Sequence, residues 1–313
     1  MPKAVSVIIR TKNEERDIGK TLNILQCQKM DYNLDIIVVD SGSTDHTVEI
    51  AKRYNAHVIK ISSSMFSWGR ALNIGLSAAE GEYAFLMSAH CFLIDETALQ
   101  LALDLMKAKN IDVLYGKQIG DPEKNIYECA EMYIDYPDYE NELPKNGRLH
   151  GISNACCLLR HDVWKENRFD ENLQSSEDAE WFLRLLKKPY NVVYTNKLIL
   201  IHGHKNDAKY IYKRNFWREY TNLQCFNRNL SGIKRNGLYN GITRILHIFY
   251  IYFFYMRILK KLSIKYKARG IIKYVFLKDF AVYMARMSYF KNAHILLGYE
   301  EINVPLIVTK INI

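Results

Sequence analysis

Two short apolar runs in the first 45 residues fix the kind of sheet this chain builds. Residues 5–10 read Val-Ser-Val-Ile-Ile-Arg and stop at Thr11-Lys12-Asn13-Glu14-Glu15. Residues 35–39 stop at Asp40-Ser41-Gly42-Ser43-Thr44-Asp45. Each run has the length of a buried strand, and each polar stop opens a helix. In open α/β sheets, strand-to-helix loops rich in small residues and carboxylates are where nucleotides are held. The two loops are expected together at one edge of one sheet.

The alternation continues. Apolar runs predict strands over 5–10, 35–39, 56–60, 83–88 and 111–117. Helical spacing predicts helices over 15–28, 45–54, 69–79 and 95–108, with Ser43/Thr44 and Asp95 as cap-type residues at two of the starts. Repeated βαβ units give an α/β fold with a mostly parallel central sheet flanked by helices. Residues 120–148 carry Pro122, Pro137 and Pro144 among many Asn, Asp and Tyr, and read as a long irregular connection. Order resumes with a strand over 151–160, a segment at 169–173, an amphipathic helix over 177–187 and a strand over 198–201.

Charge divides the chain. Residues 201–313 carry 20 Lys and Arg against 5 Asp and Glu, or +15; residues 1–200 carry 23 against 29, or −6. This predicts a domain over 1–204 and a helical, basic, aromatic-rich extension over 205–313 that suits an anionic surface. Residues 245–259 are the most apolar stretch, but only the 12 residues 245–256 separate Arg244 from Arg257. A membrane span needs about 18–20. Two readings stay open for this stretch and the lysines after it: a segment lying on an anionic membrane surface, or a packed helical hairpin. No nucleic-acid reader motif accompanies the basic tail, so no nucleic-acid partner is expected. The six cysteines form no CxxC pair, which points to reduced thiols rather than zinc or a disulfide framework. Arg10, Lys12, Glu14 and Glu15 interrupt any signal-peptide core. The expected location is cytoplasmic, with the cytoplasmic membrane face as the peripheral variant.

Taken in order, Val-Ser-Val-Ile-Ile-Arg-Thr-Lys-Asn-Glu-Glu, Val-Val-Asp-Ser-Gly-Ser-Thr-Asp, Ala71-Leu72-Asn73-Ile74-Gly75, Ala79-Glu80-Gly81-Glu82-Tyr83 and Ser-Glu-Asp-Ala-Glu-Trp resemble the family-two glycosyltransferases over roughly residues 4–204. The resemblance implies a GT-A fold, a nucleotide-sugar donor, a divalent cation (Mn²⁺ or Mg²⁺) and inversion at the anomeric carbon. A UDP- or dTDP-sugar is the expected donor, with UDP-hexose, UDP-N-acetylhexosamine and dTDP-rhamnose all open, and a glycan or lipid-linked hydroxyl is the expected acceptor.

Such a transfer requires a grip on the nucleoside, neutralisation of the leaving diphosphate and removal of the acceptor proton. The resemblance gives Asp40 the nucleoside, with Thr11 and Glu14 beside it on the first loop. Arg70 is placed to meet a phosphate or to sit on a solvated helix face. Asp178 is implied as the base, with Glu177 and Trp181 toward the acceptor; a cap role for Asp178 and a core role for Trp181 are the structural alternatives. The family's Asp-x-Asp is replaced here by Ser88-Ala89-His90. Ser88 then falls to the donor, and His90, a good ligand for Mn²⁺ or Zn²⁺ and a poor one for Mg²⁺, to the metal. Of the two histidines at 202 and 204, which share one face of an extended chain, His202 is the preferred second metal ligand.

Two other classes compete. A catalytically silent membrane-associated module that binds sugar nucleotides would explain the lost Asp-x-Asp. A nucleotidyltransferase would want a Gly-rich basic loop after the first strand, and no glycine appears until Gly19.

Overall fold

The structure is a computed structural model that describes residues 3–138, 141–142, 151–205, 207–225 and 241–295. The chain divides into two compact units, residues 1–121 with 131–203, and residues 122–130 with 204–313.

The first unit holds one sheet with nine strands among the described residues. These are β1 (Lys3–Thr11), β2 (Asn33–Asp40), β3 (His57–Lys60), β4 (Tyr83–Ser88), β5 (Cys91–Leu93), β6 (Val113–Gly120), β7 (Asn141–Glu142), β8 (Cys156–Arg160) and β9 (Val192–His202). Their order is β3-β2-β1-β4-β8-β6-β9-β5, with β7 on β9. The first four run parallel, as successive βαβ units demand. β8 then enters antiparallel to β4 and β6, while β6 and β9 are parallel.

Helices cover both faces. Val5, Val7 and Ile9 alternate onto the face packed by α1 (Ile18–Gln26), α2 (Thr47–Arg53) and α4 (Ala98–Ala108). Ile8, Ile37 and Val39 point the other way, toward α3 (Trp68–Ser77), α6 (His161–Glu166) and α7 (Glu177–Leu185). With both faces covered, the strands read as near-continuous apolar runs. Gly75 lets α3 come close: a Cβ there would lie 2.4 Å from Ile8 Cγ2.

The sequence expectations differ from the structure in three places. Part of the expected irregular connection is helical: α5 (Ile126–Asp135) starts after Asn125, whose Oδ1 accepts the Tyr127 and Glu128 amides. Pro122 and Pro137 flank this helix without entering it. Residues 139–140 and 143–150 lie outside the described residues. The strand expected over 151–160 begins at Cys156, and the one expected over 198–201 runs from Val192. β5 had no separate sequence signal, because it follows β4 after only two residues.

In the second unit, α10 (Ala268–Ile295) packs along α8 (Ala208–Cys225) and against α9 (Gly241–Lys261). Tyr212 meets Phe280, Tyr255 meets Tyr274, and Arg286 pairs with Glu219 at 2.7 Å. Of the expected extension, 226–240 and 296–313 lie outside the described residues. No helix among the described residues is long and apolar enough to cross a membrane.

Candidate active site

Parallel pairing brings the C-terminal ends of β1, β2 and β4 to one edge. Thr11 stands opposite Asp40, and Arg10 opposite Ser88. The loops that follow are laced together. Asn13, at a left-handed φ of 55°, accepts the Thr44 amide on its Oδ1 (2.8 Å) and donates its own amide to Ser43 Oγ (2.8 Å). Glu14 N donates to Thr47 Oγ1 at 2.7 Å. These bonds satisfy the loop backbone that no ladder reaches. Asp40 is 2% exposed, and its carboxylate accepts from Gly42 N (3.2 Å) and Ser43 N (3.1 Å). Gly42 takes φ +87°, and a Cβ there would lie 2.5 Å from Ser63 Oγ.

The sheet also assembles a histidine pair. β5 runs antiparallel to β9 with Cys91 opposite His202, so His90, one residue before β5, arrives beside His202. Their Nε2 atoms face each other at 3.2 Å. Each outer nitrogen has an oxygen partner: His90 Nδ1 meets Glu14 Oε1 at 2.8 Å, and His202 Nδ1 meets Gln118 Oε1 at 2.7 Å. Such partners fix a ring's orientation and leave Nε2 as the ligating atom. Two nitrogens each about 2.1 Å from one ion, at about 90–110°, lie about 3.0–3.4 Å apart. The pair therefore fits a divalent cation. His204 Nδ1 likewise has an oxygen partner, Glu128 Oε1 at 3.1 Å.

A third group hangs from β1. The nearly buried Arg10 guanidinium bonds Glu177 Oε1 through Nη1 at 2.9 Å and lies over the Trp68 ring, 4.9 Å from its centroid. Glu177 opens α7 behind Ser176, which holds a left-handed φ of 59°. Asp178 follows and keeps part of its surface exposed. Its Oδ1 accepts the Ala179 amide at 2.8 Å. Burial and the neighbouring Glu177 charge push the Asp178 carboxyl up to about 7, against the opposing pull of the Ala179 amide, Arg10 and the Asn154 amide. A carboxylate that titrates near neutrality in the first turn of a helix is suited to take a proton.

Other expected residues are placed differently. Trp181 does not face an acceptor: it is 0% exposed, packed 4.8 Å from Phe169 in the core, with its Nε1 donating to Asn167 O. Glu177 is 6% exposed and holds Arg10 rather than presenting an open carboxylate. The Glu14 carboxylate faces His90. Arg70 uses Nε on Glu171 (2.7 Å) and Nη1 on the Met65 carbonyl (2.9 Å), tying α3 to the 169–171 segment instead of presenting those donors to a phosphate. Ser88 is 8% exposed at the end of β4. Sequence reasoning missed Arg10, Gln118 and Trp68. Arg10 did carry a signal, since an arginine closing an otherwise apolar strand needs a carboxylate partner. Gln118 carried none.

Residues 6–168, just over half of the chain, match the glycosyl transferase family 2 sequence model. The O-antigen chain rhamnosyltransferase WbaN of Salmonella anatum is 25% identical over 189 residues, covering 58% of this chain and 60% of that protein. The poly(ribitol-phosphate) β-N-acetylglucosaminyltransferase TarS of Staphylococcus aureus is 29% identical over 182 residues, covering 55% and 30%. This chain thus matches less than two thirds of either relative's length. Among solved structures, TarS 1–349 of S. aureus in complex with UDP-GlcNAc has a TM-score of 0.53 at 17% identity, covering 92% of each chain. The mannosyltransferase PcManGT of Pyrobaculum calidifontis in complex with GDP-Man and Mn²⁺ has a TM-score of 0.53 at 14% identity, covering 96% of this chain and 77% of the other. These structural likenesses show the fold, an α/β sheet of GT-A type.

Proposed function

Because this chain belongs to glycosyl transferase family 2, we propose that its first unit moves a sugar from a nucleoside diphosphate to an acceptor hydroxyl, at the strand edge that joins Asp40, the His90–His202 pair and Asp178. One observation carries this reading. β1 supplies Thr11 next to Asp40 and Arg10 next to Ser88, and Arg10 also grips the residue before Asp178. Donor, diphosphate and acceptor roles therefore fall on one strand end.

Asp40 and Thr11 receive the nucleoside. Asp178 accepts the proton of the acceptor hydroxyl as its oxygen bonds the anomeric carbon. The bond from that carbon to the diphosphate oxygen breaks on the opposite face, and its electron pair leaves with the diphosphate, inverting the configuration. Arg10 offsets part of the Glu177 repulsion against the charge that Asp178 must carry. His90 and His202 would hold a divalent cation, with Glu14 and Gln118 orienting them. That ion supplies charge to stabilise the departing diphosphate, and imidazole ligands favour Mn²⁺ over Mg²⁺.

UDP- and dTDP-sugars are the proposed donors. The proposed acceptor is a glycan or lipid-linked hydroxyl; the O-antigen chain named for the rhamnosyltransferase relative supports the glycan. A second reading of the histidine pair rests on the same 3.2 Å contact: the two Nε2 atoms share a hydrogen bond and hold no metal. A screen of sugar nucleotides with Mn²⁺ or with EDTA, scoring released nucleoside diphosphate, tests both. Release with at least one donor is expected, falling at least about tenfold in EDTA. Release unchanged by EDTA selects the metal-free pair, and no release from any donor contradicts the transferase reading.

A further inference from the structure

The second unit carries an exposed apolar surface. On α9, Leu246, Phe249, Tyr250, Phe253 and Phe254 follow the i, i+3, i+4, i+7, i+8 spacing of one helix stripe. All five are solvent-exposed, at 61, 50, 68, 59 and 40%. This stripe is not the packing face of the helix. Tyr255, Ile258 and Leu259 are buried on the other side, where Tyr255 meets Tyr274 of α10. One turn beyond the aromatics the same stripe becomes cationic, with Arg257 and Lys261 exposed and Lys260 next to them. Exposed Lys265, Lys267, Arg269 and Lys273 follow. From 241 to 278 there are nine Lys and Arg and no Asp or Glu.

We propose that this face of α9 docks on an anionic lipid bilayer, its rings entering the headgroup layer and its basic last turn and following residues meeting the lipid phosphates. Scattered exposed apolar residues need no partner, but five on one stripe do. The charge pattern selects which partner. A second copy on the same face would bring like-charged clusters together, whereas an anionic surface is attracted. The stripe from 246 to 254 is about 12 Å long at about 1.5 Å per residue, so it lies along an interface and does not span one. The proposal stands whatever sugar the first unit transfers.

Flotation of the full chain with phosphatidylglycerol–phosphatidylcholine vesicles, against pure phosphatidylcholine vesicles, tests it. Partitioning onto the anionic vesicles is expected to exceed that onto the neutral ones by at least about tenfold and to fall with salt. The variant Phe249→Ser/Tyr250→Ser/Phe253→Ser/Phe254→Ser should lose at least about tenfold in binding. Phe253→Trp, a single conservative change, should show a blue-shifted emission on vesicles and quenching by brominated lipid. This second variant decides the matter should the quadruple change unfold the helix. Three results overturn the proposal: no binding to anionic vesicles, binding with a silent Trp at 253, or a ring variant that turns a dimer into a monomer while vesicle binding is unchanged.

Discussion

Asp178→Asn is expected to lower turnover by about 10²–10⁴-fold while leaving nucleotide-sugar affinity within about twofold. The substitution keeps the size of the side chain and its contact with the Ala179 amide, and removes only the capacity to accept a proton. Because burial and Glu177 hold the carboxyl up at about 7, kcat/KM of the unaltered protein should rise with pH through a limb centred near neutrality. The charged groups around Asp178 are Glu177, which raises its pKa, and Arg10, which lowers it; Tyr115, Tyr136 and Cys157 lie near enough to sense its charge. Arg10→Gln removes the cation and leaves Glu177 uncompensated. Both changes disfavour the ionised base, so the limb should move to higher pH. The same carboxyl predicts a stability effect. A folded pKa above the unfolded value means that stability falls as pH rises from about 4 toward about 7. Asp178→Asn is therefore expected to melt at a higher temperature than the unaltered protein at neutral pH. Thermal unfolding and initial-rate pH profiles read these outcomes. An unchanged rate would remove Asp178 from the chemistry.

His90→Ala is expected to cost about 10²-fold in kcat and to weaken UDP or dTDP binding at least about tenfold, with the free nucleoside bound as before. The nucleoside is proposed to sit at Asp40, one loop away, so the loss should be confined to the diphosphate. Gln118→Ala should cost about 10–100-fold in cation affinity through His202, since a ligand's orienting partner is worth about that much. Calorimetric titration with Mn²⁺ and with each nucleotide separates the two. Equal losses for nucleoside and nucleoside diphosphate would contradict the placement of His90.

The sheet edge was legible in the sequence because its parts are local. An apolar run that stops at Thr11 or at Asp40 is a strand end wherever the strand sits, and parallel pairing then sets the two stops side by side. The order of motifs through Glu177-Asp178 likewise singled out the carboxylate that we propose as the base. The histidine pair was legible in identity but not in cause. His90 reaches His202 because the three-residue β5 turns back against β9, a pairing across more than 100 residues that leaves no periodic trace. The surroundings of Trp181 and Glu177 were not legible for a related reason. Helical spacing shows that residues share a face but not which face meets the core, and here α7 turns Trp181 inward and Glu177 onto Arg10. Helix α5 was hidden by the prolines around it.

A crystal structure of the Asp178→Asn protein with its screened sugar nucleotide and Mn²⁺ measures the central claim directly. The nucleoside is expected against Asp40, the diphosphate at His90 and His202, and the anomeric carbon's open face turned to residue 178. A donor bound at another edge of the sheet, or a sugar turned away from residue 178, would contradict it.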